Sequence, residues 1–157
     1  GKESLLLLMM VKRVSTNMDL HETRLSDGTY GSPKLPEGKK NFLIDIDGTI
    51  CEDIPNEEPE RMPGATPISG ARDAVNKWYN EGHIITFFTS RTEAHREVTE
   101  AWIQKHGFAY HGLLMGKPRG GNYHWIDDRT VEATQFNGTW SPLVKKMIAS
   151  EVFEDAA

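Results

Sequence analysis

Two carboxylates two residues apart, Asp45 and Asp47, end the apolar run Asn41-Phe-Leu-Ile-Asp-Ile-Asp47 and are followed at once by Gly48 and Thr49. Once the chain leaves a strand and turns at the glycine, both acids can reach one bound group. Asp45 can attack phosphorus as a covalent nucleophile, forming an acyl phosphate. Asp47 can protonate the leaving oxygen and then deprotonate the attacking water. Several carboxylates in one pocket repel each other and a phosphate dianion, so the chemistry calls for a cation. Oxygen donors select a hard ion, and Mg²⁺ suits phosphate chemistry best. Asp127 and Asp128 supply the remaining acidic ligands. Lys117 brings positive charge to the transferring oxygens, and the Thr89 hydroxyl with neighbouring backbone N–H groups can hydrogen-bond them.

These residues need elements to position them. The run from Asn41 reads as a short strand with both faces covered. Ser69 can cap a helix carrying Ala71, Ala74, Val75 and Trp78 at helical spacing, with Gly82 as its stop. Ile84-Ile-Thr-Phe-Phe-Thr89 is a second buried strand. Thr92 can cap a helix with Ala94, Val98, Ala101 and Trp102 on one face, ended by Gly107. A third strand is expected over about Tyr110 to Met115, a fourth over about Tyr123 to Asp127, and a last helix over Pro142 to Phe153. Strands alternating with helices of this length predict an α/β fold, a three-layer Rossmann-like parallel sheet with helices on both faces. Ligands of such sheets bind beyond the carboxyl ends of the strands. Asp45, Asp47, Thr89, Ser90, Lys117, Asp127 and Asp128 all fall at or just after strand ends, so parallel strands would gather them on one edge.

Four features taken in order, Asp45-Ile-Asp47-Gly48-Thr49, Thr89 closing an apolar strand, Lys117, and Asp127-Asp128, resemble the motifs of the haloacid-dehalogenase-like (HAD-like) phosphatases. The resemblance covers roughly Asn41 to Glu132. It implies Asp45 as nucleophile and Asp47 as acid/base, with Mg²⁺ held by the Asp45 carboxylate, the Asp47 backbone carbonyl and an acid of the fourth motif. Asp128 aligns with the acid of the commoner Gly-Asp form, and Asp127 stands where that glycine would be. Neither Ile50 to Ser69 nor the interval between motifs two and three has room for a sizeable cap domain. A capless member is therefore implied, similar to small sugar-phosphate and capsule-biosynthesis phosphatases.

Gly48, Thr49, Ser90, Arg91, Arg119 and Asn122 are the candidates for substrate contact. Glycines in Pro118-Arg-Gly-Gly-Asn122 permit close backbone approach, and Arg119 can grip a sugar hydroxyl, a carboxylate or a second phosphate. Arg91 either touches substrate or pairs with a carboxylate. The five acids between Glu52 and Arg61 read as a solvated flap edge, and the six histidines lack metal-ligand spacing.

At 157 residues, 38% hydrophobic and 26% charged, the chain fits one soluble domain, residues 41–157, behind an N-terminal helix and irregular lead-in over residues 1–40. A net charge of -5 without a Lys/Arg run disfavours nucleic acid. Leu5 to Val11 is far short of the ~20 residues of a membrane span, and reads as a helix packed on the domain or on a second subunit. A homo-oligomer covering the active site is one use for it. A lone cysteine, Cys51, excludes an internal disulfide and suits a reducing, cytoplasmic setting. The expected activity is hydrolysis of a small phosphorylated metabolite, a sugar phosphate being favoured. A nucleotide or polynucleotide-end phosphatase and a non-catalytic binding or regulatory domain are the alternatives.

Overall fold

The computed structural model describes residues 34–140, together with the backbone pairing of three outlying pairs of residues. Those outlying pieces are short antiparallel ladders. β1 (Thr23–Arg24) pairs with β2 (Tyr30–Gly31), and β6 (Ala133–Thr134) pairs with β7 (Met147–Ile148). The centre is an open parallel sheet of β3 (Asn41–Ile44), β4 (Ile84–Phe88) and β5 (Gly112–Leu114), in that spatial order. Phe42 lies opposite Ile85, and Ile44 opposite Phe87, which in turn lies opposite Leu113. Helix α1 (Ala71–Asn80) connects β3 to β4, and α2 (Arg96–Lys105) connects β4 to β5. Strand, helix, strand, helix, strand with parallel pairing is the α/β Rossmann-like arrangement that the alternation predicts, although among the described residues α1 and α2 cover one face of the sheet and not both.

Burial alternates along the strands. Ile44, Ile85, Phe87 and Leu113 are buried on one side of the sheet, whereas Leu43 and Leu114 on the other are partly exposed. The buried side meets Val75 and Ala71 of α1, Trp102 and Ile103 of α2, and Phe108 and Tyr110. Phe87 stands edge-on to Phe108 at 5.9 Å between ring centroids, and Trp102 stacks near Phe108 at 5.7 Å. Burying side chains of this size contributes about 1.5–3 kcal/mol each, which fixes the strands that carry the site.

Helix starts differ from the sequence expectation. Gly70, with φ +83°, precedes α1, and no side chain caps it. A Cβ at Gly70 would meet the Trp140 Cβ at 3.2 Å, so both backbone conformation and space select glycine there. Thr92 precedes a 3₁₀ turn, Glu93–His95, that leads into α2, and its side chain makes no capping bond. A second 3₁₀ segment, Pro59–Gly64, lies against α2 with Met62 fully buried. The Trp102 indole N–H donates to the Ala65 carbonyl at 2.9 Å, tying the end of that segment to the helix.

The fourth strand expected over Tyr123 to Asp127 does not form among the described residues; residues 121–128 are irregular and exposed. Their apolar side chains, Tyr123, Trp125 and Ile126, remain more than half exposed, so no core burial draws the segment into the sheet. Met147–Ile148 pairs as strand where the last helix was expected. The remainder of that helix, the Leu5–Val11 helix and most of the lead-in lie outside the described residues. No helix of the described residues is long and apolar enough to cross a membrane.

Candidate active site

Three parallel strands end together, and the loops leaving them meet. After β3 the carbonyl of Ile46 accepts the amides of Thr49 (3.0 Å) and Ile50 (2.9 Å), and the Gly48 amide reaches the Cys51 carbonyl at 2.9 Å. Gly48 takes φ +82° in that turn, which a side chain would resist. After β4 the Thr89 amide donates to Leu114 of β5 (2.9 Å). The Lys117 amide returns to the Thr89 carbonyl (2.9 Å), and the Gly116 amide to the Arg91 carbonyl (2.8 Å). Backbone pairing thus carries the second and third loops to one place.

Lys117 and Asp45, 72 residues apart, meet there. The ammonium is 2.8 Å from Asp45 Oδ1 and also donates to the Phe88 carbonyl at 3.1 Å. The rings of Phe88 and Tyr123 lie beside it, at 5.3 and 5.2 Å to their centroids. Thr49 Oγ1 donates to the other Asp45 oxygen at 3.0 Å. The Asp45 side chain keeps 37% of its surface open, so it is oriented from both sides yet reachable.

Asp47 faces a different neighbour. Arg91 is fully buried and grips its carboxylate with both arms of the fork, Nε to Oδ2 at 2.9 Å and Nη2 to Oδ1 at 2.8 Å. The third arm, Nη1, donates to Thr99 Oγ1 at 3.1 Å, and the Thr99 hydroxyl donates to the His95 carbonyl at 2.7 Å. Among the two readings of Arg91, the structure realises the ion pair; a guanidinium with no open surface does not reach substrate. Leaving either charge here without its partner costs about 3–5 kcal/mol. Cys51 Sγ sits 3.7 Å from Asp47 Oδ1. Burial, and then the negative charge of Asp47, push its thiol up to about 12, so it remains a neutral donor.

The other expected residues are placed unequally. Thr89 is fully buried and its hydroxyl accepts the Arg91 amide at 3.1 Å, closing the turn rather than opening onto solvent. Ser90 is half-buried, and its carbonyl accepts Asn56 Nδ2 at 3.1 Å. Arg119 is exposed and donates to Glu57 Oε1 at 2.8 Å, a bond that holds the Glu57 carboxyl below its usual range. Asn122 stands exposed with φ +59°, the one non-glycine in that region among the described residues. The acids from Glu52 to Glu60 are mostly exposed, as a solvated edge would be.

Asp127 and Asp128 do not join this group. Both are exposed. Asp127 accepts the Trp125 indole N–H at 3.1 Å and the Arg129 amide at 3.0 Å, and these bonds hold its carboxyl below the usual range. Asp45 offers the oxygen donor that a hard cation takes, but both its oxygens and both of Asp47 already face protein partners. Among the described residues no three His, Cys, Asp or Glu side chains are grouped to hold an ion. The described side chains therefore do not bring the expected acidic Mg²⁺ ligands together.

Three contributors carried no motif in the sequence. Trp140 donates its indole N–H to the Thr49 carbonyl at 2.7 Å across 91 residues and packs against Trp78 and Phe136, bracing the first loop. Asn56 braces the second loop, and Thr99 braces Arg91. Only the position of Thr99 three residues before Trp102, on the same face of α2, is a local signal for an inward side chain; the other two had none.

Comparison with known proteins places this geometry. Residues 42–124, over half of the chain, match the family described as PITM 1-3, LNS2 domain. Membrane-associated phosphatidylinositol transfer protein 2 of Homo sapiens is 28% identical over 82 residues, 51% of this chain and 6% of that protein. Membrane-associated phosphatidylinositol transfer protein 3 of Mus musculus is 26% identical over 76 residues, 47% of this chain and 7% of that protein. The chain thus spans a small fraction of the length of these relatives. Among solved structures, an MCSG target from Vibrio cholerae superposes with a TM-score of 0.44 at 22% identity, over 59% of this chain and 82% of that one. The family match begins in β3 and runs past Lys117, taking in every residue that meets Asp45 and Asp47 through a side chain, and the chain belongs to the LNS2 domain family, a HAD-like phosphatase fold.

Proposed function

We propose that the chain is a phosphomonoester hydrolase that works through a phosphorylated Asp45. The observation that carries this reading is the placement of the Lys117 ammonium 2.8 Å from one Asp45 oxygen and the Thr49 hydroxyl 3.0 Å from the other, on a half-open carboxylate. Asp45 attacks phosphorus, the bond to the leaving oxygen breaks, and that oxygen leaves with its electron pair and takes a proton. Water then attacks the acyl phosphate, the Asp45–phosphorus bond breaks, and inorganic phosphate departs. Asp47 relays the proton in each step. Lys117 balances the negative charge that builds on the transferring oxygens, in a site where fixed charge acts strongly because it needs no reorganisation. The substrate is a small phosphorylated metabolite, a sugar phosphate being favoured, because the exposed Arg119 and Asn122 of the loop after Lys117 carry donors suited to hydroxyl groups.

The test is turnover of p-nitrophenyl phosphate and of a sugar-phosphate panel, with Mg²⁺ and with EDTA, by the chain and by Asp45→Asn. Loss of about 10⁴-fold or more in the variant is expected for a removed nucleophile, with radiolabel from a ³²P substrate captured on the unsubstituted chain alone. Equal rates in both proteins refute the reading. A second reading, a non-catalytic domain that binds a phosphorylated headgroup, draws on the Arg91 grip on Asp47 and the separation of Asp127 and Asp128. The relatives named as phosphatidylinositol transfer proteins accord with it. Inorganic phosphate binding without turnover across the panel would select that reading.

A further inference from the structure

We infer that Arg91 is the positioning residue of this site, holding the Asp47 carboxylate in one orientation and itself mounted on helix α2 through Thr99. The inference rests on the reading of Asp45 and Asp47 as a phosphoryl-transfer pair. Three facts carry it. The guanidinium is fully buried, so it acts on protein groups and not on substrate. Its two bonds to Asp47, at 2.9 and 2.8 Å, run to different oxygens and therefore fix both the torsion and the plane of the carboxylate, where one bond would leave a swivel. Its third bond reaches Thr99, whose hydroxyl is tied in turn to the His95 carbonyl at the start of α2.

The backbone of the same residue joins the other loops. Its amide donates to Thr89 Oγ1 and its carbonyl accepts the amide of Gly116, next to Lys117. Arg91 thus touches the first loop by its side chain and the second and third by its main chain. A proton relay works only from a set direction, and a misplacement of about 1 Å can lower a rate about 10²-fold. Lysine keeps the charge but has no fork, so it separates orientation from charge.

The experiment is a cycle of Arg91→Lys, Asp47→Asn and the double variant of the full chain, with p-nitrophenyl phosphate turnover and urea unfolding measured on each. Arg91→Lys is expected to lower kcat about 10²-fold with KM changed less than about threefold, and the double variant to be no slower than Asp47→Asn. Losses that multiply independently, or a raised KM with kcat preserved, overturn the inference. Should Arg91→Lys fail to fold, Thr99→Val takes its place; it leaves the fork and removes the mount, so kcat is expected to fall severalfold with KM unchanged, and an unchanged kcat overturns it. If the unsubstituted chain shows no turnover, the proposed activity fails, and the clamp is judged on unfolding alone. Stability losses of the Arg91 and Asp47 variants, or of the Thr99 and Asp47 variants where the former does not fold, must then be non-additive; additive losses overturn it.

Discussion

The loops that leave β3, β4 and β5 and the segment from residue 118 to 130 both carry acids of the expected site, yet the fold treats them in opposite ways. In the first region each acid has a cation beside it: Lys117 for Asp45, and Arg91, wholly buried, for Asp47. In the second, Asp127 is bonded to its own neighbours in sequence and lies open to water, as does Asp128. The difference lies in what fixes each segment. Strand ladders and the buried faces of Ile44, Phe87 and Leu113 set the first region, and its loops inherit that rigidity. The second has no ladder over residues 121–128 and no buried apolar side chain there, so although Tyr123 lies beside Lys117, motif and position in sequence do not bring Asp127 and Asp128 into the group. An acid becomes part of a site through the element behind it.

Four measurements can break or sharpen this contrast. Phe87→Ala, beneath the well-fixed region, is expected to cost about 3–5 kcal/mol in urea unfolding; a loss under 1 kcal/mol would mean that the sheet is not what holds those loops. Lys117→Met is expected to lower kcat for p-nitrophenyl phosphate about 10²–10³-fold, on the scale of removing a preorganised charge-stabilising donor. A rise in KM alone would place the lysine in binding only. Asp127→Asn is expected to change stability by no more than about 0.5 kcal/mol, as for exposed positions generally. Should it abolish turnover with stability intact, the two regions act as one site after all.

The smallest effect concerns Cys51. Its thiol is pushed up to about 12 by burial and by Asp47, so the reactive thiolate is nearly absent near pH 8 and grows only as the pH rises towards that value. Native chain is expected to react with DTNB at a negligible rate at pH 8 and at the ordinary rate in guanidinium. Rapid reaction of native chain would show that the packing around Asp47 is loose.

Much of this was legible before any coordinates. Continuous apolar runs placed β3 and β4, and the spacing of Ala71, Val75 and Trp78 placed α1 to within two residues. The order of strand and helix gave parallel pairing, and that topology brought Lys117 to Asp45. Less was legible at the helix starts, where Ser69 and Thr92 suit capping by type but Gly70 and a 3₁₀ turn occupy the entrances. Tyr123 to Asp127 has the composition of a strand, and strand propensity without partners to pack against is a weak determinant.

The sequence by itself determined the α/β alternation and the candidacy of Asp45, Asp47, Thr89 and Lys117, because apolar periodicity and turn residues act over a few positions. Only the tertiary structure decided the partners. Whether Arg91 meets substrate or Asp47, 44 residues away, and whether Trp140 braces Thr49 depend on loop paths and packing that no local pattern encodes. Burial settles such choices: a guanidinium enclosed by the fold must take the carboxylate enclosed with it, since an unpaired charge there is too costly to keep.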